Sequence, residues 1–266
     1  MSAFDADSPS VMPPSPGGGK SSGLYVAAGI LFVLLLWQGL SLLAGDLAIA
    51  PPAAAFKALF RMMGTPVFQR HFLTSVWRIL LSILLGGLAG FSLGIIAGLN
   101  RRLYLFLEPL RWTLMSVPPV TILVLAMLWL GLGGRMVVTF ASLLLSPVIY
   151  VNTVKGMRLV EKSLVEMSAF YRFSLTMRLR HVYIPALTAP LLAGMAQVVC
   201  GGVRVIVLAE VLGAGLGMGA AIADASSGLD TPVLFAWIFV SVCFVAVIEY
   251  LILRPLQARM LRWNQP

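Results

Sequence analysis

The sequence predicts an all-α polytopic membrane protein, a bundle of six spanning helices, and three observations carry that prediction. Hydrophobic residues make up 59% of the chain and charged residues 11%, with a mean hydropathy of +0.95, whereas a soluble domain carries about 25% charged residues. The apolar residues collect in runs of spanning length, about 20 residues each. None of these runs has the alternation, over roughly ten residues, that marks a barrel strand, so backbone groups in hydrocarbon must be satisfied within helices. A soluble core this apolar would leave exposed patches far larger than monomers tolerate.

Residues 1–22 contain Pro13, Pro14, Pro16 and the run Gly17-Gly18-Gly19. They hold too little apolar surface to offset the entropy of ordering, and they read as a disordered cytoplasmic tail. Residues 23–49 make the first transmembrane segment. Its apolar core, Gly23 to Leu43, is longer than the roughly 7–15 residues of a signal-peptide h-region. Apolar runs at 72–99, 113–132, 136–154, 187–212 and 233–253 supply the other five helices. In the run 72–99, Gly86, Gly90, Gly94 and Gly98 place a small residue at every fourth position, a seam for close helix packing. Pro118-Pro119 falls near the start of the run 113–132 and Pro147 inside the run 136–154. Each frees a backbone carbonyl that needs another partner or a hydrated cavity.

The formal charge of +9 does not point to nucleic acid, because no basic stripe interleaved with stacking aromatics is present. The basic residues sit between apolar runs instead. With the amino terminus cytoplasmic, one side receives Lys20, Arg101, Arg102, Arg111, Lys155, Arg158, Lys162, Arg172, Arg178, Arg180, Arg254, Arg259 and Arg262, thirteen in all, and the other receives only Lys57, Arg61, Arg70 and Arg135. That asymmetry places both termini in the cytoplasm. Cys200 and Cys243 lie in apolar runs and read as packing residues, not as a disulfide or metal site. An enzyme lacks materials: His71 and His181 fall on opposite sides, no metal-binding His pair occurs, and no Gly-x-Ser-x-Gly elbow is present. The chain also has no Gly-x-x-x-x-Gly-Lys-Ser/Thr phosphate loop, so ATP hydrolysis would have to reside in another polypeptide.

Residues 155–185 form the longest segment on the basic side. Leu164, Met167, Phe170 and Tyr171 recur at helical spacing beside Glu161, Lys162 and Glu166, which gives an apolar face for docking a partner or resting on lipid. Here the sequence resembles the permeases of binding-protein-dependent ABC importers, whose loop carries Glu-Ala-Ala, then a glycine, and closes on a hydrophobic-x-Leu-Pro. Glu166-Met167-Ser168 occupies the first element, with Met167 and Ser168 in place of the two alanines, and Tyr183-Ile184-Pro185 the last, with Ile184 in place of the leucine, while Arg172 stands where the glycine is expected. In that position Arg172 either extends the docking helix or meets an acidic ATPase surface. The likeness is to the nitrate/sulfonate/taurine branch and spans residues 50–263. It runs through Ala50-Pro51-Pro52, His71 to Arg78, Pro118-Pro119, Leu128 to Gly133, Ser146-Pro147, Asn152-Thr153, Ala209 to Ala214, Gly217-Met218-Gly219 and Arg262-Trp263.

The resemblance implies a six-helix importer permease in the bacterial inner membrane, paired with a second copy of itself. It also implies two ATPase subunits that bind ATP and Mg, and a periplasmic or lipid-anchored substrate-binding protein. No cofactor belongs to this chain. The ATPase-coupling surface maps to Ser163, Leu164, Glu166, Met167, Ser168, Ala169, Phe170, Tyr171, Arg172 and Pro185. The alternative is a channel or gradient-driven transporter without an ATPase partner.

Four ionisable residues lie within apolar runs, Arg78, Arg204, Glu210 and Glu249, and each is costly there. Glu249, near the end of its run, is expected to snorkel or meet a basic loop residue. At about 1.5 Å per residue, Arg204 and Arg78 fall at similar depths, about 12 and 10 Å from the outer side. Glu210 sits about 240° around the helix from Arg204, which disfavours a pair within one helix. It can instead reach Arg78 from a neighbouring helix. Arg204 would then face a structural partner elsewhere or a hydrated pathway lined with Gln197, Gly201 and Glu210.

Overall fold

The computed structural model describes residues 20–45 and 48–255, every element of them helical or connecting. Most of the expected disordered tail, and the Arg262-Trp263 motif, lie outside the described residues. Lys20 to Ser22, assigned to that tail from sequence, instead open the first helix. The chain divides into two compact units, one ending at Pro52 and the other beginning at Ala53.

The first unit is built on α1 (Lys20–Ala44), 25 residues and about 38 Å long, enough to cross a hydrocarbon core of about 30 Å. Gly45 follows with φ of 81°, a left-handed turn that glycine adopts without steric penalty. The chain then returns to α1: the Trp37 indole donates to the Ala50 carbonyl at 3.0 Å and the Ser41 hydroxyl to Ile49 O at 2.9 Å.

In the second unit, α2 (Pro52–Met63) is a short amphipathic helix that buries Ala55 and Leu59. It is followed by α3 (Pro66–Leu99), α4 (Arg101–Ser116), α5 (Pro119–Leu130), α6 (Gly134–Arg158), α7 (Lys162–Phe170), α8 (Leu175–Arg178), α9 (Ile184–Gly213), α10 (Met218–Ser227) and α11 (Thr231–Val247). Wide π turns at Leu179–Tyr183 and Ile248–Leu253 lead into α9 and out of α11. Caps and prolines, more than hydropathy, set the ends. Thr65 accepts the Phe68 N–H ahead of Pro66, Asn100 caps Arg102 and Leu103, and Asp230 caps Val233. As a result, α3 starts six residues before its apolar run and takes in Arg70 and His71, which the sequence reading put outside the helix.

The helix expected over 113–132 is the main correction. The chain breaks at Val117-Pro118, and α4 and α5 meet at a bend of 100°. Pro118 has no N–H to continue the ladder, and a residue before proline is pushed out of the α region. At 12 residues, α5 is about 18 Å long, too short to cross alone. Among the described residues, five helices are long and apolar enough to span a membrane, and six if the bent pair counts as one span. The break also extends helix backwards over Arg101, Arg102 and Arg111, and Arg111 is neutralised in place by a bidentate pair with Glu108.

The core forms where α3, α6 and α9 meet, around the fully buried Met136, Val137, Phe140 and Ile206, with Leu123 of α5 and Met218 of α10. The α3–α6 seam is glycine-built. A methyl at Gly86 would stand 2.6 Å from Ser142 O, one at Gly94 2.6 Å from the Thr153 side chain, and one at Gly98 2.7 Å from Met157. At Gly90 it would strike the Ser146 carbonyl and lie 3.0 Å from Tyr150 N. Backbone cannot swing aside as a side chain can, so Gly90→Ala should overpack the seam and cost about 1–3 kcal/mol. Gly87, with open space beside it, should accept alanine with no loss. Thermal unfolding of the two variants in detergent checks the contrast; equal melting temperatures would place the seam elsewhere.

Candidate functional site

Two charged residues on neighbouring helices, Arg78 and Glu210, form a buried, hydrogen-bonded polar site. Arg78 of α3 donates through Nη1 to Glu210 Oε1 of α9 at 2.7 Å and to the Leu216 carbonyl at 2.5 Å. The Glu210 carboxylate is fully buried and uses its second oxygen as well, accepting from Ser75 Oγ at 2.6 Å and from the Gly219 N–H at 3.1 Å. Ser75 in turn accepts the Met218 N–H at 2.7 Å. A buried carboxylate with three hydrogen bonds to its surroundings, one of them charged, meets the condition under which such a charge is tolerated in a low-dielectric interior.

The site also ties down the loop between α9 and α10. Gly217 has φ of 122°, and any side chain there would strike the Glu210 carboxylate. One turn before Ser75, His71 Nδ1 lies 2.9 Å from Gly217 O, so that nitrogen carries the proton. The sequence reading anticipated a Glu210–Arg78 partnership and grouped Glu210 with pathway residues, but the structure encloses its side chain completely. It missed Ser75 and the α10 N–H groups. Their signal was present in Gly217-Met218-Gly219, where glycines permit the close approach of backbone to carboxylate.

On the opposite side of α9, Arg204 is exposed and, among the described residues, makes no ion pair or hydrogen bond. It lines a groove of about 320 Å³ between α9 and α11, with Val203, Ser241, Val245, Glu249 and Tyr250. Glu249 meets Arg254 at 3.9 Å, and Arg254 lies over the Tyr250 ring at 4.1 Å. Gln197 is also exposed and reaches Asn152 Nδ2 at 3.5 Å. The glycines near them differ in role. Gly194 packs on Asn152 and Gly202 on Leu145, while Gly201 has open space.

The loop on the basic side presents α7. Phe170 is 84% exposed, Tyr171 65%, Met167 46% and Leu164 42%, with Phe170 and Tyr171 in edge contact. Ser163 and Glu166 are exposed beside them, and Ser168 faces inward; Ala169 lies within α7 and Pro185 in the first turn of α9. The expectation that Arg172 extends this helix is overturned. Arg172 has φ of 53° and the Phe173 N–H bonds back to Ser168 O at 2.9 Å. That is a Schellman ending with arginine in the left-handed position usually given to glycine. At the position where the resemblance leads one to expect glycine, arginine therefore takes a left-handed conformation that glycine adopts at least cost.

Among the described residues, no group of three His, Cys, Asp or Glu side chains gathers as metal ligands would. The chain belongs to the family of binding-protein-dependent transport system inner membrane components, which it matches over residues 90–260. It is a multi-pass permease subunit of an ABC importer, with ATP hydrolysis assigned to a separate subunit.

Relatives within the family carry different names. The chain is 27% identical over 255 residues to the taurine transport system permease protein TauC of Escherichia coli, covering 92% of this chain and 91% of the relative. It is 25% identical to the riboflavin transport system permease protein RibX of Chloroflexus aurantiacus, covering 88% of each. Against the nitrate import permease protein NrtB of Synechocystis the identity is 24%, covering 85% of this chain and 88% of the relative. A solved structure of the MetNI methionine ABC transporter in an inward-facing conformation has the same fold, with a TM-score of 0.59, 18% identity, and coverage of 74% of this chain and 97% of that one.

Glu210→Ala strands the Arg78 guanidinium in the core and should destabilise the protein by about 3–5 kcal/mol. The double variant Arg78→Met, Glu210→Leu should recover part of that, because apolar replacement of a whole pair is far less costly than breaking it. Recovery stays partial, since the Leu216 carbonyl and the Gly219 N–H lose their partners. Denaturant unfolding of the three proteins in one detergent measures this, and a double variant no more stable than Glu210→Ala would show the pair to be uncoupled.

Proposed function

We propose that this chain conducts a small anionic solute, a sulfonate, taurine or nitrate, across the bacterial inner membrane by alternating access. It acts as a pair of copies with both termini cytoplasmic. Two ATPase subunits, which bind ATP and Mg, dock on the loop at α7, and a periplasmic or lipid-anchored binding protein delivers the solute. The observation that carries the solute class is Arg204. It is an intramembrane guanidinium, exposed along an apolar helix and without a described partner, and such a charge is otherwise too costly to keep. An oxyanion passing the α9–α11 groove offsets that cost at the moment of transit, and the Glu249 carboxylate in the same groove favours a sulfonate that also bears an ammonium. The names of the taurine and nitrate relatives support the same class.

In this mechanism the substrate is moved by exchange between two packings of rigid helices, driven from the loop. The exposed apolar edge of α7 gives the ATPase subunits an apolar anchor, and Glu166 beside it supplies orientation by charge. The tight α3–α6 seam keeps those two helices together while α9 and its loop respond.

Arg204→Gln, with insertion and assembly verified, should raise the KM for an anionic solute by about 10- to 100-fold, the range for losing a charged hydrogen bond. Uptake in proteoliposomes with unchanged KM and rate would remove Arg204 from the pathway. Glu166→Lys should leave ATP hydrolysis running while uptake falls at least about tenfold, since reversed charge misorients the docked helix. The ratio of phosphate released to solute imported reads this directly. Solute flux at full rate without nucleotide would instead identify a channel.

A further inference from the structure

At the basic end of the bundle, where α3 ends, α4 begins and α6 ends, the structure contains a pocket of about 550 Å³ lined by Ala97, Gly98, Arg101, Tyr104, Leu105 and Arg158. The solute pathway does not use it. We infer that this pocket binds the phosphate of an anionic phospholipid and so forms a structural lipid site at the membrane surface.

The charge in the pocket is of one sign. Arg101 and Arg158 are both exposed and, among the described residues, neither forms an ion pair; the nearby Glu108 carboxylate is held by Arg111. The Arg158 guanidinium lies over the Tyr104 ring, 4.1 Å from its centroid. Stacking of this kind fixes the direction of a long side chain while leaving its edge N–H groups free to donate. Arg101 is the first residue of α4, a helix of 16 residues with no acidic side chain in its first turn, so the helix dipole adds to the positive potential there.

The surroundings select a lipid over a free anion. Arg101, Arg102, Lys155 and Arg158 cluster where the apolar helices end, which is the depth of phospholipid headgroups. Leu99 and Leu105 also line the pocket and are 44% and 58% exposed, an apolar surface on which acyl chains rest. Basic pockets between transmembrane helices on the positive side are the expected binding geometry for anionic headgroups. Gly98, at the pocket wall, also closes the α3–α6 seam, where a methyl would collide with Met157.

The test is lipid binding by the delipidated full-length protein in detergent, followed by native mass spectrometry. Wild type should bind phosphatidylglycerol well above phosphatidylcholine. The double variant Arg101→Gln, Arg158→Gln should lose about 30-fold in phosphatidylglycerol affinity, the combined effect of two surface cations. Arg61→Gln, on α2 outside the pocket, should change nothing. Arg101→Lys, Arg158→Lys should keep most of the affinity and serves if the Gln variant does not fold.

Three results would overturn the inference. The first is equal phosphatidylglycerol binding by wild type and the Gln variant. The second is displacement of the lipid by millimolar inorganic phosphate, which would make this a site for the free anion. The third is unchanged lipid binding with lost association of the ATPase subunits, which would make the pocket a protein contact.

Discussion

The second unit depends on burying one charge pair successfully. An ion brought out of water costs several kcal/mol even after relaxation, and its counter-ion repays that only when the remaining hydrogen-bonding capacity is also met. Around Glu210 it is met by a guanidinium, a hydroxyl and a backbone N–H, and Arg78 spends its surplus donor on a loop carbonyl. Two stretches far apart in sequence, α3 on one side and the end of α9 with the start of α10 on the other, must therefore take one arrangement. A shift of one helical turn in α9 would leave two charges unpaired in a dry core, so the pair fixes register where apolar packing alone would tolerate sliding.

The glycine seam complements it. In lipid, helices gain little from hiding apolar surface, and close backbone approach with its dispersion contacts takes over. Along α3 the glycines bring it onto the backbone and short side chains of α6 from Ser142 to Met157. The seam supplies broad contact with little specificity, and the charge pair supplies specificity over a small area. The apolar side chains of the core fill the space that these two constraints leave.

Much of this was legible in the sequence. Hydropathy located five spans because a run of about 20 apolar residues has few other uses, and the every-fourth-residue glycines marked the seam. The amphipathic order of Leu164, Met167, Phe170 and Tyr171 marked the loop helix that displays them. Element ends were less legible, since caps such as Thr65 and Asn100 are single residues whose effect depends on backbone geometry. The α4–α5 break was visible as Pro118-Pro119 but not its size, because a proline pair states that the ladder stops and not where the chain goes next. The partners of Glu210 were hidden for a different reason. Ser75 and the N–H groups of α10 are brought to it by tertiary folding, and backbone donors carry no sequence signature.

Residues Thr176–Gly213 run as one helical stretch of 38 residues from the loop to the far end of the bundle. Near its far end that rod is pinned by Glu210, and at its near end it is joined to the surface that α7 displays. A rod fixed at one end and pushed at the other does not slide; it swings. Driven from the loop as proposed, that rod would move most close to the loop and least at the pin, with the far end of α9 as its fulcrum. Opening on the loop side demands little disturbance beyond it, and opening on the far side requires the fulcrum itself to yield.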